Sequence, residues 1–429
     1  MGRGVWLGLC LVVGLGAGAC DDGGGKQAAG DGDAGLDGAD AGLDGGDAGR
    51  DAGDGGADAG GDAAADGGDA GAGEDGGDGG ADAGDGGVED GGCEDPCPFS
   101  GGILWGCERR FMYGINYAWH HFGGDFGGIA AWGQSGVAGQ AETIRAELAD
   151  MRAHGASVIR WWVFPDFRGD GVVFDADGNP SGLGGTARQD LEAALRLAAE
   201  EDVYYMLCLF SFDNFRPGRE EYGIWIPGMR PLLVDAERRA LLIDNAVRPL
   251  ARAVAASPHR RRVIAWDVIN EPEWAMAGPS PYGDEDYEPN AELETVSHQQ
   301  METFVAEVIA ALRQESDALV TVGGAAWKWA QAWTRVDLDF YQFHMYAWID
   351  EWYPYDQPPA TFGIEDKPVV MGEFPTGALA PGTPYADVVR SWFGNGYAGA
   401  LSWQYIEASA EQLDAVQAFA AEHPCQTSY

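Results

Sequence analysis

Two glutamates carry the chemistry that this sequence offers. Glu271 ends the apolar run Val-Ile-Ala-Trp-Asp-Val-Ile-Asn at 263–270, and Glu373 ends Pro-Val-Val-Met-Gly at 368–372. Runs of apolar and β-branched residues mark strands buried on both faces, as in a parallel sheet. Pro272 cannot continue a hydrogen-bonded ladder, so the first strand stops there with Glu271 at its carboxyl end. The second strand ends the same way at Glu373. Two carboxyl groups at the tips of two buried strands, about a hundred residues apart, are what glycosidic bond cleavage needs. One must be protonated for the leaving oxygen. The other must be ionised for the positive charge that develops at the anomeric carbon. Like-charge repulsion and partial desolvation in a shared cavity would raise the pKa of the acid.

The elements that must position this pair read as an alternation. Strand-like runs lie at Phe111–Trp119, Ser157–Phe164, Val203–Phe210, Val263–Asn270, Ala318–Gly323, Phe340–Tyr346, Pro368–Phe374 and Tyr397–Tyr405. Amphipathic segments fill 141–155, 187–202, 236–257 and 297–316, and another follows the last strand at 410–423. The segments after the fifth and sixth strands show the least helical patterning. Eight strands alternating with helices predict an α/β fold, a (β/α)8 TIM barrel, over residues 93–429. A doubly wound open sheet is the alternative, but no glycine-rich phosphate loop follows the first strand.

In such a barrel chemistry is done at the carboxyl ends of the strands. Those ends supply Arg160 and Trp162 (strand two), Asn270 and Glu271 (strand four), His344 and Tyr346 (strand six), Glu373 (strand seven) and Trp403 (strand eight). His344 and Tyr346 share a face by the two-residue period. A lone tryptophan or histidine at a strand end is usually structural; this set on successive ends is harder to read that way. The set resembles the retaining glycoside hydrolases of clan A, family 5 most closely. By that resemblance Glu271 is the acid/base beside Asn270, and Glu373 is the nucleophile. Arg160, His344, Tyr346 and Trp403 match the supporting arginine, histidine, tyrosine and subsite tryptophan. One element departs from the family: its usual histidine after strand three is replaced by Ser211-Phe212-Asp213-Asn214-Phe215. Arg160-Trp161-Trp162-Val163-Phe164 is similar to the Arg-x-Trp-x-Phe pattern of family 5 β-mannanases. The expectation is therefore an endo-acting enzyme on β-1,4-linked polysaccharide, with β-mannan ahead of cellulose or β-glucan. Asp213 and Asn214 are candidates near the reacting sugar. Trp119, Trp132, Trp225 and Trp274 are candidates for outer sugar sites, or simple packing. A transglycosylase with the same residues, or a glycan-binding protein without turnover, are the other classes. No pattern calls for a cofactor or a metal, and the chain reads as a monomer.

The first twenty residues read as an export signal: Arg3, an apolar core from Val5 to Leu15, then Ala17-Gly18-Ala19 before Cys20. Small residues before a cysteine resemble a bacterial lipobox, with Cys20 as the lipidated residue; plain cleavage after Ala19 is the rival. Any contact with a membrane would then be through that anchor alone, on the cell surface or in the periplasm, and otherwise the protein would be secreted. From 21 to 92 the chain is almost only Asp, Gly and Ala, with a net charge of −19. Such a segment cannot offset its ordering entropy and reads as a disordered, extended spacer. Its Asp spacing lacks the closing Glu of an EF-hand loop, which disfavours calcium. Residues 93–429 carry a net charge of −25, which excludes nucleic acid as a natural partner and suits a neutral glycan. Cys93, Cys97, Cys107 and Cys425 flank the barrel. Disulfides are preferred over zinc, because no fourth ligand stands at zinc-ribbon spacing and an exported protein meets an oxidising compartment. A bond from the cluster to Cys425 is expected, because barrel ends lie close together. Cys208, inside Val-Tyr-Tyr-Met-Leu-Cys-Leu-Phe, reads as a buried thiol.

Overall fold

The computed structural model describes residues 95, 97, 99–350, 354–379 and 382–429. The export signal, Cys20, the Asp/Gly/Ala segment and Cys93 lie outside the described residues.

Eight parallel strands close into a barrel: β1 (Met112–Asn116), β2 (Val158–Trp162), β3 (Tyr204–Ser211), β4 (Val263–Asn270), β5 (Leu319–Gly324), β6 (Tyr341–His344), β7 (Val369–Glu373) and β8 (Gly399–Ser402). Each strand pairs with its sequence neighbours, and β8 pairs with β1. Six of the eight fall within the runs read from the sequence, and β3 and β5 each extend one residue past theirs, to Ser211 and Gly324. β4 is buried along its whole length, as a strand covered on one side by helices and on the other by the barrel interior must be.

The helices α1 (Ala141–Ala153), α2 (Ala187–Glu200), α3 (Ala236–Leu242), α4 (Arg248–Ala256), α5 (His298–Glu315), α6 (Tyr385–Gly394) and α7 (Ala410–Glu422) cover the outside. α5 starts with a capping box, Ser297 bonding the amide of Gln300 and Gln300 reaching back. It buries Met301, Phe304, Val305, Val308, Ile309 and Leu312 along one face, the stripe that 3.6-residue periodicity prescribes. The single helix expected over 236–257 is divided by a π turn at Ile243–Val247. Pro249 has no N–H to offer the carbonyl four residues back, so the wider turn precedes it. After β5 and β6, the described residues form 3-10 turns instead of helices, Trp327–Trp329 and Pro359–Phe362. Here flat aromatic packing does the covering: Trp327 lies 4.4 Å from Phe343 and 4.1 Å from Phe362, centre to centre.

Alternation along β2 shows how the interior is layered. Val158 joins Met112, Met206, Ile264 and Leu401 in an apolar floor, where Ile103 of an amino-terminal hairpin also packs. Arg160 comes next, and Trp162 reaches the rim beside Ala118 and Cys208. Cys97 is bonded to Cys425 with Cα atoms 5.7 Å apart, joining the two ends of the barrel across 328 residues of chain. Cys107 is also disulfide-bonded, and Cys208 is a buried free thiol. No helix among the described residues is long and apolar enough to cross a membrane.

Candidate active site

Arg160 is the centre of the site. It is fully buried, and each of its five N–H groups has an acceptor. Nε and Nη2 both donate to Asp267 Oδ2, at 2.9 and 2.8 Å. Nη1 donates to Asn116 Oδ1 (2.9 Å) and Glu373 Oε1 (2.6 Å). The second Nη2 hydrogen goes to Asn270 Oδ1 at 2.7 Å. A guanidinium can serve four side chains at fixed angles in this way; an ammonium cannot. Gly323 is required beside it, because a Cβ there would sit 3.0 Å from Arg160 Nη2 and 3.1 Å from Asp267 Oδ2.

Glu373, at the end of β7, is held from both sides, since Tyr346 donates its hydroxyl to Oε2 at 3.1 Å. Glu271, just past β4, adopts the left-handed conformation with φ 49° and ψ 49°. For a glutamate this costs on the order of 1–2 kcal/mol, and strain of this kind collects at functional turns. Its N–H is anchored to the Gly323 carbonyl at 2.7 Å. Trp274 donates to Glu271 Oε2 at 3.0 Å. His344 places Nδ1 2.8 Å from Glu271 Oε1 and 3.5 Å from Glu373 Oε2, between the two carboxyl groups.

The electrostatics separate the two acids. Desolvation pushes Glu271 up to about 7, against the Trp274 hydrogen bond and the Arg160 charge. Asp213 lies near enough for its charge to push the same way as desolvation. Glu373 is also raised by burial, opposed by the charge of His344 when that ring is protonated and by the charge and hydrogen bond of Arg160. Burial pushes His344 down to about 4, so at neutral pH it is an uncharged hydrogen-bond partner of Glu271. Of the cations, only Arg160 then touches the pair, and it bonds Glu373 directly. That asymmetry favours a protonated Glu271 beside an ionised Glu373. The closest oxygens of the two glutamates and a ring nitrogen of His344 lie within 4.8 Å of one another. These three could also hold a divalent cation, but the Arg160 guanidinium already supplies positive charge to Glu373.

The chain has relatives among known proteins. No family model matches the chain. Over 354 residues it is 24% identical to the mannan endo-1,4-beta-mannosidase of Cryptopygus antarcticus, spanning 71% of this chain and 83% of that protein. Among solved structures, the β-mannanase of the blue mussel Mytilus edulis superposes with a TM-score of 0.62 at 22% identity, covering 76% of this chain and 95% of that one. The β-1,4-mannanase of the sea hare Aplysia kurodai gives 0.63 at 22% identity, covering 77% and 98%. The chain is similar to β-mannanases. This similarity agrees with the resemblance read from its strand ends.

The remaining candidates divide. Trp403 stands at the rim with Trp162 and Trp119, ring centres 5.6 and 5.9 Å away. Trp274 stacks on the exposed Trp348 at 5.6 Å. Asp213 is buried and bonded to Arg216. Asn214 uses both ends of its amide on backbone, accepting from Ser211 N and donating to Phe164 O. Trp132 ends a 3-10 turn, Ala130–Trp132, and Trp225 lies on a short strand, Ile224–Ile226, both outside the barrel. Sequence reasoning missed Asp267, Asn116 and Gln342, which surround Arg160. It also missed Glu273, buried and bonded by Trp333 Nε1 and Ala325 N. The available signal was an aspartate inside an otherwise apolar strand.

Proposed function

We propose that this chain is a retaining, endo-acting β-1,4-glycoside hydrolase with β-mannan as preferred substrate. The observation that carries it is the closeness of Glu271 and Glu373, whose nearest oxygens lie within 4.8 Å around a single buried arginine. Retaining enzymes hold their carboxyl groups about 5–5.5 Å apart, and inverting ones about 6.5–9.5 Å, to admit a water. In the first step Glu373 attacks the anomeric carbon while Glu271 gives its proton to the leaving oxygen. In the second, Glu271 takes a proton from water, which displaces Glu373. Asn270 has its oxygen engaged by Arg160, which leaves its NH2 to donate to a sugar hydroxyl. Trp403 offers an apolar face to the ring. Mannan is preferred over glucan on the mannanase relatives and on the Arg160–Phe164 motif. The test is reducing-end release from mannan, glucomannan, carboxymethylcellulose and xylan, with proton NMR of the first product. Activity on carboxymethylcellulose but neither mannan would reverse the substrate order, and an inverted first product would remove the mechanism.

The pH profile should be bell-shaped. Glu271 must be protonated and sits near 7, so kcat/KM falls as pH rises through about 7. Glu373 must be ionised and is raised above the ordinary glutamate value. Activity is therefore also lost on acidification, above the pH at which a free glutamate protonates. In Glu271→Gln the alkaline limb should vanish while the acidic limb stays, measured on an aryl glycoside with a good leaving group.

We further propose that residues 1–19 are a signal peptide, that Cys20 is lipidated, and that 20–92 tether the catalytic domain of 93–429. A flexible chain of that length spans about 45 Å, more with charge repulsion. Cys20→Ala should move the protein from the membrane to the soluble fraction on cell fractionation. Unchanged partitioning would rule out the anchor.

A further inference from the structure

A short hairpin, Arg219–Glu221 with Ile224–Ile226, projects from the loops that follow β3. It displays two of the most exposed aromatic side chains among the described residues, Tyr222 (79% exposed) and Trp225 (68%). Aromatic surface exposed this far is unfavourable unless something covers it.

The hairpin is also held rigidly. Buried Asp166 accepts from Arg168 Nη2 and Arg219 Nη2, both at 2.7 Å. Glu221 takes the same two guanidinium groups at 3.3 and 3.1 Å. The Trp225 ring lies over bare Gly218, where a Cβ would approach it to 2.8 Å. Trp132 from the loop after β1 donates Nε1 to the Tyr222 carbonyl at 3.2 Å. Two acids and two bases thus lock the hairpin, together with the Trp132 hydrogen bond to its tip.

A line of ring contacts joins Tyr222 to the site. Trp403 meets Trp119 (5.9 Å), and Trp119 meets Phe122 (4.9 Å). Arg168 lies over both Phe122 (4.7 Å) and Trp132 (5.9 Å), and Trp132 meets Tyr222 at 6.0 Å. All these rings are partly exposed. The trail leaves the site from Trp403. Trp274 and Trp348 lie elsewhere, beside Glu271, where the leaving group departs.

We propose that Tyr222 and Trp225 form a distal platform for the glycone side of a long β-1,4-mannan chain, several sugars from the bond being cut. The proposal rests on the hydrolase reading above. Pyranose rings present C–H faces that stack on aromatic surface, and Tyr and Trp lose little conformational entropy on binding. A neutral chain needs no cation there, and the guanidinium groups of Arg168 and Arg219 are already spent on Asp166 and Glu221.

The test compares kcat/KM on long-chain mannan with that on a short manno-oligosaccharide. Tyr222→Gly suits the positive φ of 47° at that residue, and Trp225→Ala removes the exposed ring. The double variant should lower the polymer-to-oligosaccharide ratio by about tenfold, mainly through KM. The melting temperature reports whether the fold is kept. An unchanged ratio, or an equal loss on both substrates, would overturn the platform while leaving the hydrolase reading intact. A wild-type protein that cleaves no β-1,4-polymer would overturn both.

Discussion

Replacing Glu373 with alanine abolishes turnover of β-mannan, with kcat falling on the order of 10^4-fold or more, about 5.5 kcal/mol. No other group stands at the end of β7 to form a covalent intermediate. Removing the carboxylate also leaves the Tyr346 hydroxyl and one Arg160 N–H without acceptors. Glu271→Ala should differ in kind. It should lose natural polymer hydrolysis by a similar factor yet form product from aryl glycosides whose leaving group needs no proton. A steady-state comparison of both variants on both substrates, with mass spectrometry for a trapped glycosyl-enzyme, distinguishes the roles. Equal losses of the two variants on activated substrates would reassign the acid and the nucleophile.

Replacing Arg160 with methionine should damage stability and activity together. Asp267 and Glu373 would be left as neighbouring buried carboxylates without their cation. Breaking a buried pair in this way costs about 3–5 kcal/mol. Activity should drop by about 10^3-fold or more, since Glu373 would hold its proton at neutral pH. A second change, Asp267→Asn, removes one of the stranded charges. The double variant should recover part of the melting temperature but little of the turnover. That split, read by thermal unfolding and kcat, separates the structural role of Arg160 from its role in ionising Glu373. Full recovery of turnover in the double variant would show that Arg160 acts only through stability.

Most of the barrel was legible because each strand is buried on both faces. Such strands must be apolar throughout, and runs like 203–210 and 263–270 stand out in any sequence. The crossovers after β5 and β6 were not legible as helices because their described residues form 3-10 turns instead. Their burial comes from aromatic packing, Trp327 against Phe343 and Phe362, which has no periodic signature. The π turn before Pro249 likewise reflects a missing donor that local patterning does not report.

The two glutamates and their supports were visible because strand ends in a parallel barrel converge. Asp267 was not, for a geometric reason. It precedes Asn270 by three residues, and strict alternation would put the two on opposite faces. A register shift between β4 and β5 at Asp267–Asn270 resets that alternation, so both reach Arg160. The hairpin carrying Tyr222 and Trp225 is similar. Trp225 could be suspected as an aromatic on a loop, but its rigidity depends on ion pairs to Asp166, more than fifty residues earlier. Residue types and their order along the chain determined which groups are available for chemistry and which strands carry them. Which of those groups share one guanidinium, and therefore which glutamate keeps its proton, was decided by folding. Desolvation and charge pairing depend on distances in space, and those exist only once the barrel has closed.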